Sequence, residues 1–157
     1  MEDSMNVWII DDEENDRQVA HKICMNCLCN ADYKFDDKMI WPLEFLKTNQ
    51  DGQISNSKDF PHIVILDLFI NGSKFSDAIN IYEQIRSQEK KHFGRYKSFV
   101  IVWSGAYTAD NDIEDSFEKK AMKDRRLLIV KLKSKNLLKR VLKRVLSIAH
   151  EELLEYE

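Results

Sequence analysis

No stretch of this 157-residue chain approaches the 18 to 20 consecutive apolar residues, roughly, that a membrane-spanning helix requires. The amino terminus also lacks a basic segment followed by an apolar one, so neither a membrane anchor nor a secretory leader is expected. With three cysteines, an odd number, the chain has no disulfide framework to propose. Four glycines and two prolines leave no low-complexity tract, and no internal repeat is visible. A net charge of −3 gives no overall attraction to nucleic acid. These absences argue against membrane, disulfide-rich and repeat architectures. What is present, 43% hydrophobic and 32% charged residues, suits one compact cytoplasmic domain over residues 1–157 with a real core.

Cys24, Cys27 and Cys29 fall within six residues, with His21 close by. Structural zinc needs four ligands, whereas Val19, Ala20, Ile23, Cys24 and Cys27 recur at helical spacing. Small apolar residues packing one face of a helix is the simpler reading.

Short apolar runs alternate with helical periods. Val7 to Ile10, Asp32 to Phe35, His62 to Leu68, Ser98 to Trp103 and Leu127 to Lys131 read as strands. Asn15 to about Leu28, Pro42 to about Lys47, Asp77 to about Lys90, Asp112 to about Lys123 and a segment from about Lys135 read as helices. Pro42 suits a first helical position, where its missing N–H removes no bond. Asn49 to Asp59, with Gly52, Ser55, Asn56 and Ser57 and no apolar period, reads as a surface loop. A βα unit repeated five times predicts an α/β fold: a doubly wound parallel sheet with right-handed crossovers and helices on both faces.

The polar residues that end those runs carry the chemistry. Asp11 and Asp12 follow Val7-Trp8-Ile9-Ile10, Asp67 follows Ile63-Val64-Ile65-Leu66, Ser104 follows Phe99 to Trp103, and Lys131 follows Leu127 to Val130. Ligands of open parallel sheets bind at the carboxyl ends of the strands, so these positions converge on one edge. Clustered carboxylates there would repel one another unless a hard cation neutralised them, and Mg2+ is the natural one. One carboxylate could then attack a phosphoryl group, and Asp67, ending the central strand, is the best placed. Lys131 and the Ser104 hydroxyl would hold phosphoryl oxygens. Singly, each residue has a plainer role: Asp12 a helix cap, Asp67 and Ser104 turn residues, Lys131 a solvated strand end. Their joint order outweighs those readings.

The segments Ile9-Ile10-Asp11-Asp12-Glu13, Ile65-Leu66-Asp67-Leu68, Ile101-Val102-Trp103-Ser104-Gly105 and Val130-Lys131 resemble the receiver domain of two-component response regulators, over nearly the whole chain. The resemblance implies a flavodoxin-like five-stranded sheet in the order 2-1-3-4-5. It implies phosphoryl transfer to Asp67 from a histidine kinase, a phosphotransfer protein or a small phosphodonor. Metal ligands would be Asp12, Asp67 and the Phe69 carbonyl, with Asp11 acting through water; Asp67, Ser104 and Lys131 would be the catalytic set. A haloacid dehalogenase type of phosphatase also uses an aspartate after a strand, but needs a second acid where Phe69 stands.

Several positions depart from the receiver pattern. Leu132 stands where the family's strand-end lysine is followed by a cis proline, and a cis bond before leucine would cost about 2.5 to 4 kcal/mol. Leu128 occupies the aromatic switch position. The loop from Asp67 to Asp77 is longer than usual, with Asn71-Gly72 in place of the usual methionine and proline; the span from Ser104 to Lys131 is longer too, with acids from Asp110 to Asp115. The last helix, Lys135 to Tyr156, carries Leu137, Leu138, Val141, Leu142, Val145, Leu146, Ala149, Leu153 and Leu154 at helical period. Its second half could overhang and pair two copies, or cover its own domain. Its basic residues interleave with the apolar stripe as a solvated face does, which argues against nucleic acid as a partner. Two functions follow: a stand-alone phosphorylatable receiver signalling through protein contacts, or a receiver-like interaction module not switched by phosphate.

Overall fold

In the computed structural model, residues 6–11, 13–27, 34–35, 60–67, 75–104, 112–130 and 134–155 are described. Strands β1 (Asn6–Ile10), β2 (Lys34–Phe35), β3 (Ile63–Leu66), β4 (Phe99–Trp103) and β5 (Leu127–Val130) alternate with helices α1 (Glu14–Cys27), α2 (Phe75–Phe93), α3 (Asp112–Lys123) and α4 (Lys135–Glu155). The helix read at Pro42 and the loop read from Asn49 lie outside the described residues.

β1, β3, β4 and β5 pair in parallel in that spatial order, and β2 pairs in parallel with the free side of β1. β3 and β4 are buried along their whole length. That is why they read as unbroken runs of branched apolar residues rather than as alternating ones. The alternation of side chains divides the sheet between two cores. Val7, Ile9, Ile63, Ile65, Ile101 and Trp103 pack with α1 and α4, whose contributions include Ala20, Ile23, Leu138, Leu142 and Val145. Trp8, Ile10, Val64, Leu66, Val100 and Val102 pack with Ala78, Ile81, Tyr82 and Ile85 of α2 and Phe117 of α3. Cys24 lies in the first core and Cys27 packs against it, both as free thiols.

Local chemistry sets the helix ends. Ser134 caps α4: its hydroxyl accepts the Leu137 N–H at 3.3 Å and its carbonyl accepts the Leu138 N–H at 3.1 Å. α2 runs three residues past the expected Lys90 and stops at Gly94, whose φ is +71°. The Gly94 N–H closes back on the Lys90 carbonyl at 2.9 Å, the left-handed cap that a glycine makes at low cost. On α4, burial continues through Ala149, and Glu152 pairs with Arg126 at the turn before β5. The last helix therefore covers its own domain at least that far. Among the described residues no helix is long and apolar enough to cross a membrane.

Candidate functional site

The register of the sheet decides which strand ends meet. Ile10 pairs with Leu66, Leu66 with Val102, and Trp103 with Val130. One further ladder bond, from the Asp67 N–H to the Ile10 carbonyl at 2.9 Å, locks Asp67 beside Asp11 at the carboxyl edge. Ser104 leaves β4 at the same edge, one residue beyond the position in register with Asp67. Neighbouring strands lie about 4.8 Å apart, so three polar residues that are 37 to 93 positions apart in the chain share one small area.

All three are buried: Asp11 is 4% exposed, Asp67 6% and Ser104 1%. Two carboxylates this poorly hydrated, on adjacent strands, cannot both carry full charge cheaply unless something compensates them. Part of the compensation is local. The Asp11 Oδ1 accepts the Glu13 N–H at 2.9 Å, a turn that starts α1, and Arg17 Nη1 donates to the Asp11 carbonyl at 3.0 Å. Arg17 thereby brings a guanidinium to the site from the first turn of α1, a contribution the strand-end pattern did not reveal. The pair Asp11 and Asp67 is a hard-oxygen set of the kind Mg2+ uses, since that ion takes one or two carboxylates and keeps several waters. Asp12, Phe69 and Lys131, the other expected members, lie outside the described residues. Among the described residues no group of three or more metal-binding side chains is assembled.

A second polar cluster lies at the opposite, amino edge of β4 and β5. Arg86, 3% exposed, donates through Nε to Asp124 at 2.9 Å and through Nη1 to Glu89 at 2.6 Å and the Ser98 carbonyl at 2.8 Å. Glu89 in turn accepts the Ser98 N–H at 2.5 Å and the Lys97 N–H at 3.1 Å, and Tyr82 donates its hydroxyl to Asp124 at 2.6 Å. Burial pulls the Arg86 guanidinium's pKa down, but Glu89 and Asp124 outweigh it and the net direction is up. Burial, with the hydrogen bond to Asp124, pushes the Tyr82 hydroxyl far up. Only the Arg86 and Glu89 spacing of three on one helix hinted at this network; its other partners are up to 42 residues away.

No family model matches the chain, and no curated protein matches it. Among solved structures, a fusion carrying a segment of the yeast Spc42 trimeric coiled coil aligns with a TM-score of 0.58 at 8% identity, covering 98% of this chain and 82% of that one. The signal receiver domain of a DNA-binding response regulator (merR) from Colwellia psychrerythraea 34H aligns at 0.56 and 19% identity, over 91% of this chain and 98% of that one. The phosphorylated cyanobacterial phytochrome response regulator RcpA aligns at 0.53 and 15%, over 91% of each chain. The chain has a receiver-like α/β fold.

Proposed function

We propose that this chain is a response regulator receiver, with residues 1–157 as one domain on a complete flavodoxin-like sheet in the order 2-1-3-4-5. Asp67 is its phosphoacceptor. The observation that supports the reading is the ladder bond from Asp67 to Ile10, which sets two buried aspartates on neighbouring strands at the carboxyl edge, where Ser104 also leaves β4.

An Asp67 carboxylate oxygen attacks the phosphorus of a phosphohistidine on a kinase or phosphotransfer protein. The new P–O bond forms as the P–N bond breaks, and its electron pair leaves with the imidazole, which takes up a proton. Asp11, Asp12, Asp67 and the Phe69 carbonyl would hold Mg2+, which supplies charge neutralisation at the phosphoryl oxygens. Ser104 donates a hydrogen bond to one of those oxygens and Lys131 offsets the charge on another. Binding beryllofluoride with Mg2+ is expected to change tryptophan fluorescence, because Trp103 directly precedes Ser104. An equal change in Asp67→Asn would contradict the assignment.

A second reading is favoured by Leu128. This residue, at the position of the family's aromatic switch, is half-buried and packed against the core of α1 and α4. A chain without a ring to turn inward can act as an interaction module whose contacts phosphate does not alter. The two readings separate on whether partner binding responds to modification of Asp67.

A further inference from the structure

The amino edge of the sheet, opposite Asp67, holds an apolar cavity of about 170 Å³ lined by His62, Phe93, Arg95, Lys97, Phe99 and Ala149, with Glu152 at its margin. Its walls come from three parts of the fold: the end of α2, the start of β4 and the last third of α4. Its base is fixed, because the Phe99 N–H bonds the His62 carbonyl at 2.9 Å. The Arg95–Lys97 side is fixed as well. The Lys97 N–H is held by Glu89 and the Lys97 carbonyl accepts from Arg126 at 3.0 Å.

Size and polarity limit what can enter. The space opens to solvent on one side and has room for about one benzene-sized group. Phe93 and Phe99 both line that space and Ala149 is its smallest side chain, while the Arg126 guanidinium lies 4.5 Å over the Phe99 ring; a lining with two rings suits one more ring or a short alkyl chain.

Charge limits it further. Glu152 is committed to Arg126, so the acid at the margin is already neutralised. Glu89 is buried and committed to Arg86 and to two backbone N–H groups. The Lys97 ammonium lies 5.0 Å over the Phe93 ring with no carboxylate bonded to it among the described residues. Burial holds its pKa below the ordinary lysine value; Glu89 opposes that shift, and Arg95 adds to it by a smaller amount. An ammonium kept in this state gains most from an anion placed at the mouth.

We propose that this cavity binds a small carboxylic acid with an apolar body, an aryl or short alkyl acid, its body between Phe93 and Phe99 and its carboxylate on Lys97. The site is independent of Asp67 and of any phosphoryl chemistry.

The test is an NMR titration of the full chain with phenylacetate, with its neutral counterpart phenylacetamide, and with acetate. Phenylacetate is expected to give saturable shifts at Phe93, Lys97, Phe99 and Ala149. Loss of either the charge or the ring should weaken binding at least about tenfold, the equivalent of about 1.4 kcal/mol. Lys97→Met should bring the acid and the amide to equal affinity while the amide still binds. Ala149→Leu, which fills the space, should abolish both. Equal affinity for acid and amide in the native chain overturns the proposal. So do shifts confined to other residues, no saturation, or an acid preference that survives Lys97→Met.

Discussion

Single residues in this chain are decided by whether their charge has somewhere to go. Arg86 is the clearest case, a buried cation answered by two buried carboxylates and two backbone carbonyls. Such a network is weak evidence of net stability, yet removing one member strands the others. Arg86→Met is therefore expected to lower unfolding stability by about 3 to 5 kcal/mol, read from urea denaturation. A loss under about 1 kcal/mol would show that Glu89 and Asp124 find water instead. Tyr82 gives a pH signature within the same network. Its hydroxyl has an ordinary pKa of 10.0 when unfolded and is pushed well above that when folded. Between those values the unfolded chain binds fewer protons at this group than the folded chain does, so stability falls as pH rises above about 10. Urea midpoints at pH 9 and pH 11 should therefore converge in Tyr82→Phe relative to the native chain. Unchanged spacing would mean that the hydroxyl does not keep its proton in the fold.

The elements were legible in the sequence to different depths. The runs Ile63–Leu66 and Phe99–Trp103 announced themselves because strands buried on both faces must be apolar throughout. The carboxyl-edge residues Asp11, Asp67 and Ser104 followed from them, since the residue that ends a buried strand is the first free to be polar. The amino-edge network did not, because Arg86, Glu89 and Asp124 look like the solvated charges of ordinary helix surfaces until the fold buries them. α2 was read too short at its end because charged Lys90 and Lys91 resemble a terminus, although Gly94 marked the true one. Gly94→Ala, with no clash for its added Cβ but a φ of +71°, is expected to cost about 1 kcal/mol, and Gly94→Asn less. Thermal melts of the two variants check this. Equal melting points would show that the cap is not held in the left-handed region. α4 was open to two readings. Docked through Glu152, it leaves Ile148 as its one large exposed apolar residue among the described ones, and the chain is expected to sediment as a monomer. A concentration-dependent dimer that is lost in Ile148→Glu would restore pairing through the helix.

The whole molecule has two unlike edges. Its carboxyl edge gathers Asp11 and Asp67, buried and acidic, with Ser104 beside them; its amino edge gathers Lys90, Arg95, Lys97, Lys120 and Lys123 around cavities. The clamp of α2 onto the turns before β4 and β5 ties the amino edge together through Arg86, Glu89 and Asp124. The acidic edge of this receiver-like fold is the proposed phosphoryl site. Incubating the chain with Mg2+ and acetyl phosphate and measuring intact mass decides it. A gain of one phosphoryl group is expected, lost on removing Mg2+ and in Asp67→Asn. No gain in the native chain, or a gain that persists in Asp67→Asn, would contradict it.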